Sequence, residues 1–210
     1  MTPNDKMKLK NERQIRALQA FAPVTAKRIE SDHYAEGYAT TYEPYVLWED
    51  ADGPIYERFE RGCFAQCDLS DVIYQLNHQG TVFARQTNGS LIVEPDDVGL
   101  FTAADLGRTE AARRLYEEIE AGMITKMSWG FILGDYYYDD TTRTIVHKTV
   151  KKIFDVSAVS IPANNNTEIN ARSWADGVID LAARSEAELD ERRRRQRLKI
   201  FLQEDQVHEN

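Results

Sequence analysis

Ser128 is the first residue in this sequence that invites chemistry. In Lys126-Met127-Ser128-Trp129-Gly130-Phe131 the apolar positions alternate. A strand of that period puts Met127, Trp129 and Phe131 on one face and Ser128 with Gly130 on the other. Two readings fit a small polar residue there. It is a close-packed position or bulge, or it is a nucleophile beside a glycine that lets a substrate backbone approach. A serine hydroxyl becomes nucleophilic only beside a base. The sequence offers His33, His78, His147 and His208. His78 has the strongest position, in the turn Asn77-His78-Gln79-Gly80 directly after the strand-like run Val72-Ile73-Tyr74-Gln75-Leu76. A histidine at a strand end is held rigidly and stays accessible, as a general base must be. Asp155 lies inside Lys152-Ile153-Phe154-Asp155-Val156-Ser157-Ala158-Val159, where a carboxylate is costly to bury unless it is paired. It sits on an exposed face, or pairs with Lys151 or Lys152, or completes a triad by orienting His78 and stabilising its charged form. His147 rivals it for that third place. The spacing does not itself prove contact between any of them.

The elements that must position these residues are mostly short strands. His33 to Tyr42, Ile55 to Phe59, Val72 to Leu76 and Met127 to Leu133 are rich in aromatic and β-branched residues. Ser90–Glu94 and Gly99–Ala103 flank Pro95-Asp96-Asp97-Val98 and read as a hairpin over an acidic turn. Arg143–His147 and Val150–Ile161 read as further strands, with an acidic, tyrosine-rich turn at 135–140 before them and Pro162 as a stop. One internal helix is expected, capped by Thr109, with Ala111, Leu115, Ile119 and Met123 on one face and Gly122 at its end. Many strands around one helix point to a β-barrel or sandwich core with helices outside.

Three segments follow from the texture of the chain: a polar lead over 1–30, a domain over 31–172, and a charged helical or disordered tail over 173–210. The tail carries Glu191-Arg192-Arg193-Arg194-Arg195, a charge block of the kind found in interaction tails. It reads as a solvated charged helix, a disordered tail or an interaction element.

Composition narrows the function. Of 210 residues, 26 are Lys or Arg and 35 are Asp or Glu, a net charge of −9. An acidic chain is a poor general nucleic-acid binder, because phosphate affinity needs a basic surface. The sequence contains no run of 18 apolar residues and its start has no apolar leader core, so neither a membrane span nor a secretory signal is expected. Cys63 and Cys67 read as two reduced thiols. Without a nearby pair of histidines they make a poor zinc site, since zinc takes four nitrogen or sulfur ligands.

From about Ala35 to Arg172 the order of these segments resembles the prohead maturation proteases of tailed bacteriophages. That family is distantly similar in fold to the herpesvirus assemblin. The resemblance is carried by Glu36-Gly37-Tyr38-Ala39, by Arg61-Gly62-Cys63-Phe64, by Leu76-Asn77-His78, and by Asn88-Gly89-Ser90-Leu91 with Asp97-Val98-Gly99-Leu100. It is carried furthest by Lys126-Met127-Ser128-Trp129-Gly130-Phe131 and by Phe154-Asp155-Val156-Ser157-Ala158-Val159-Ser160-Ile161-Pro162-Ala163. The chain departs from the family pattern with Trp129 for a usual Phe, Ala84-Arg85 where Gly-Arg is common, and Asp155 where Glu is frequent.

The resemblance implies a serine endopeptidase with Ser128 as nucleophile, His78 as base and Asp155 as third member. The assemblin's second histidine keeps His147 as an alternative, and Arg85 is implied as a neighbour of the site. The implied fold is α+β and mainly β, a closed, largely antiparallel β-barrel with flanking helices. No cofactor or metal is implied. The implied partners are the major capsid protein and its scaffold segment, other prohead proteins, and further copies of the chain, with no membrane and no specific nucleic acid. The implied place of action is the interior of the assembling prohead in the host cytoplasm, with self-cleavage in the polar lead or the tail. The competing expectations are a catalytically dead capsid-associated scaffolding protein on the same fold, and a general cytosolic peptidase.

Overall fold

Runs of β-branched and aromatic residues, punctuated by Gly, Asp and Asn, form the strands of a computed structural model that describes residues 13–19 and 27–160, with Glu191 and Arg194 as two exposed helical positions further on. In chain order the strands are β1 (Arg13–Gln19), β2 (Tyr34–Thr41), β3 (Tyr45–Asp50), β4 (Gly53–Phe59), β5 (Ile73–Leu76), β6 (Gln79–Arg85), β7 (Leu91–Pro95) and β8 (Gly99–Asp105). The helix α1 (Glu110–Glu120) follows, then β9 (Lys126–Leu133), β10 (Tyr136–Asp139), β11 (Thr144–His147) and β12 (Val150–Val159). The rest of the expected tail over 173–210, and the end of the last strand run at Ile161-Pro162, lie outside the described residues.

The expected closed barrel is not what forms. The strands make three separate sheets, ordered β1-β9-β12-β5-β6, β10-β11-β4-β3 and β2-β8-β7. Closure needs the first and last strands of one sheet to pair, and among the described residues no sheet has that pairing. Two of the sheet edges carry residues that resist a further strand: β3 ends in exposed Glu49 and Asp50, and β7 ends in exposed Glu94 and Pro95. Pairing is largely antiparallel, with two parallel contacts, β12 to β5 and β11 to β4.

Two segments differ from the local expectation. Arg13–Gln19, inside the polar lead, is a strand at the edge of the five-stranded sheet. Tyr136–Asp139, expected as a turn, is a strand against β11. The helix begins as expected, with Thr109 Oγ1 accepting the Ala112 N–H at 3.1 Å. Its buried face is Ala112 and Leu115, while Ala111 is exposed and Met123 is 75 % exposed. The helix ends at Glu120, one turn before Met123 can join its stripe.

One buried core is lined by all three sheets and by α1, bringing Ala39, Leu91, Leu100 and Leu115 into one cluster with Phe59 and Trp129. Trp129 and Phe131 of β9 stack with ring centroids 3.8 Å apart, and Phe59 of β4 meets both edge-on at 5.1 and 5.7 Å. Each aromatic buried this completely contributes about 1.5–3 kcal/mol, so β9 is firmly seated. That seating fixes the opposite face of the same strand, which carries Ser128 and Gly130.

Candidate active site

His78 occupies a two-residue turn. β5 runs into β6 through Asn77 and His78, with Leu76 paired to Gln79 across the turn. Both turn residues have positive φ, 52° and 59°, the signature of a type I′ hairpin. A non-glycine residue in this region carries strain that its surroundings must hold. Here the surroundings are β12. Asn77 N–H donates to the Ala158 carbonyl at 2.9 Å. Asn77 Oδ1 accepts from the Ser160 N–H at 3.1 Å and from its hydroxyl at 3.2 Å. His78 N–H donates to Ser157 Oγ at 3.3 Å.

The ring that this turn presents touches two other side chains. Nδ1 lies 2.5 Å from Asp155 Oδ2, and Nε2 lies 2.6 Å from Ser128 Oγ. The imidazole is 11 % exposed and the Asp155 side chain is fully buried. Ser128 is opposite Ser157 and Gly130 is opposite Asp155 in the β9–β12 ladder, so all four share one face. Glycine at position 130 leaves the carboxylate's cross-strand neighbour without a side chain. The Ser157 hydroxyl donates to the same Asp155 Oδ2 at 2.9 Å. A buried carboxylate is costly without partners, and here one oxygen meets both the imidazole and a hydroxyl. Hydroxyl, imidazole and carboxylate are therefore in series, with a proton path from Ser128 Oγ to Nε2 and a support at Nδ1.

The Ser128 hydroxyl has a second acceptor. The Arg16 carbonyl oxygen on β1 lies 2.6 Å away, because β1 pairs with β9 in a register that sets Arg16 against Trp129 and Ala17 against Ser128. One hydroxyl proton serves one of these acceptors at a time.

The other candidates lie elsewhere. His147 is buried on β11, with Nε2 2.7 Å from Glu57 Oε1 and its ring stacked on Phe59. Arg85 is at the end of the β5–β6 hairpin away from the turn, bound through its guanidinium to Asp71 at 2.6 Å. Lys152 pairs with Asp68 at 2.7 Å rather than with Asp155. His33 packs edge-on against Tyr116, and His208 lies outside the described residues. Cys63 and Cys67 are free thiols, both pushed up to about 12 chiefly by burial, so neither supplies a thiolate at neutral pH. Among the described residues no cluster of three or more His, Cys, Asp or Glu side chains is placed to hold a metal.

One polar network went unread in the sequence. Glu57, fully buried, takes Arg16 Nε at 2.6 Å and Arg16 Nη2 at 3.0 Å, and also the Tyr45 hydroxyl and His147 Nε2. Burial pushes the Glu57 carboxyl up most strongly of any one influence, but the charges and hydrogen bonds of Arg16 and His147 together outweigh it, and the carboxyl lies well below its ordinary range. Burial holds His147 below its ordinary value. The signal was present: period two in β4 places Glu57 on the inward face with Ile55 and Phe59, where a carboxylate demands a cation. Ser157, two residues after Asp155, is on the site's face by the same period.

A family model described as caudovirus prohead serine protease matches residues 22–177 of the chain. No curated protein and no solved structure matches it.

Proposed function

The chain belongs to the caudovirus prohead serine protease family, and on that premise we propose that it is the endopeptidase of an assembling prohead, with Ser128, His78 and Asp155 as its catalytic residues. The observation that carries this reading is the His78 ring, with one nitrogen on Ser128 Oγ and the other on Asp155 Oδ2. Ser128 Oγ attacks the scissile carbonyl while His78 Nε2 takes its proton. The resulting imidazolium is stabilised through Nδ1–H by Asp155, and its Nε2 proton goes to the leaving amine. Water then releases the acyl group, with His78 again as base. Asp155 keeps the ring in the tautomer that leaves Nε2 free to accept.

The proposed substrates are the scaffold part of the major capsid protein, other internal prohead proteins and the chain itself, inside the prohead in the host cytoplasm. No helix among the described residues is long and apolar enough to cross a membrane.

The test is co-expression with the capsid precursor, reading intact masses of both chains for wild type and Ser128→Ala. Shortening of either chain in wild type alone is the expected result. Identical masses with both forms, in the presence of the assembly partners, would favour a catalytically dead scaffolding protein.

A further inference from the structure

We propose that Ser157 is a positioning residue of this site: its hydroxyl ties the Asp155 carboxylate to the main chain of His78, so that the imidazole meets Ser128 in one orientation. The proposal rests on the serine protease reading above and adds to it a residue outside the three.

A serine hydroxyl donates one hydrogen bond and accepts others, and Ser157 does both between the two members of the relay. It donates to Asp155 Oδ2 at 2.9 Å and accepts from His78 N–H at 3.3 Å. Ser157 is fully buried, so water does not compete for either bond. The strand itself does not depend on this side chain. β12 is already laddered to β9 on one side and to β5 on the other, with Ser157 opposite Ser128 and Gln75. What Ser157 adds is specific to the relay. The last torsion of an aspartate is broad and soft, and the Ser157 hydroxyl meets the same Oδ2 as His78 Nδ1. A second donor on that oxygen, from a fixed strand, restricts that torsion. The left-handed backbone of His78, φ 59°, is held at its N–H by the same hydroxyl. The neighbouring turn residue is held independently, by Asn77 on Ser160 and Ala158, so the hairpin survives the loss of Ser157 and only the ring's aim suffers.

The experiment uses the full chain and two readouts. One is the downfield proton resonance of the short His78–Asp155 hydrogen bond, assigned by its loss in His78→Ala. The other is the rate at which diisopropyl fluorophosphate adds to Ser128, followed by mass. Ser157→Ala is expected to melt near wild type, to broaden or shift that resonance, and to slow labelling by about ten- to a hundredfold, a part of what a positioned base contributes. Ser157→Thr retains the hydroxyl and is expected to recover the resonance and most of the rate. Should Ser157→Ala not fold, Ser157→Cys, similar in shape with only a weak donor, reads the same two signals. A folded Ser157→Ala with an unmoved resonance and wild-type labelling overturns the proposal. Wild-type protein that never labels, while its resonance responds to Ser157→Ala, would overturn the peptidase reading and support the positioning role.

Discussion

Arg16 and Glu57 form an ion pair inside the protein, with Nε 2.6 Å from Oε2 and both side chains almost wholly removed from solvent. The pair joins an edge strand of one sheet to an inner strand of another. It also sets the main chain of Arg16, whose carbonyl lies against Ser128. The bidentate geometry suits a guanidinium and a carboxylate, and the Tyr45 hydroxyl and His147 complete the shell of the anion.

Glu57→Gln removes the carboxylate from a buried guanidinium, and the expected loss is about 3–5 kcal/mol of folding stability. Urea unfolding at neutral pH measures it. A change under about 1 kcal/mol would show that the pair contributes little net.

The same pair sets a pH dependence. The Glu57 carboxyl lies below its ordinary 4.5 in the folded protein, so the unfolded chain takes up the proton first as pH falls. The stability it contributes is complete above pH 4.5 and is lost as pH drops from there towards the folded-state value. Unfolding free energies measured between pH 7 and pH 3 are expected to fall below 4.5 in wild type. The fall is expected to be shallower in Glu57→Gln.

Asp155→Asn keeps the shape of the side chain and removes its charge. It favours the imidazole tautomer with the proton on Nε2, which cannot accept from Ser128. Turnover is expected to drop by about 10⁴-fold with KM little changed. The assay is cleavage of a peptide spanning a site cut in the capsid precursor. A drop of less than about tenfold would remove Asp155 from the relay.

Gly99 opens β8 opposite Thr41, and a β-carbon there would stand 2.1 Å from the Thr40 carbonyl oxygen. Gly99→Ala is expected to cost at least about 1–3 kcal/mol through forced backbone movement. Activity per folded molecule should be unchanged, because this sheet holds none of the relay. A melting point equal to wild type would contradict the close approach.

The local elements were legible because their signals are local. The hairpin over Asp96–Val98 and the Thr109 cap were readable from turn and capping residues. His78, Ser128 and Asp155 each stood out as a polar group in a strand or at a strand end. Their meeting was not legible from spacing, since it depends on β12 lying between β9 and β5. Barrel closure failed for the same reason: alternation shows which side of a strand is buried and not which edge finds a partner. β1 was hidden because Arg13–Gln19 has little apolar pattern, and its place depends on Glu57, 41 positions from Arg16. Spacing did not show which of Asp155 and His147 lies beside His78, because that depends on the sheet each strand joins.

Covalent trapping distinguishes a Ser128 hydroxyl activated by His78 from an inert one. Purified wild-type, Ser128→Ala and His78→Ala proteins are treated with diisopropyl fluorophosphate and the adduct is mapped by peptide mass. One adduct is expected, on Ser128 among the eight serines of the chain. None is expected in Ser128→Ala, and labelling at least about a hundredfold slower in His78→Ala. An adduct on another serine with Ser128 untouched, or His78→Ala labelling as fast as wild type, would contradict that activation.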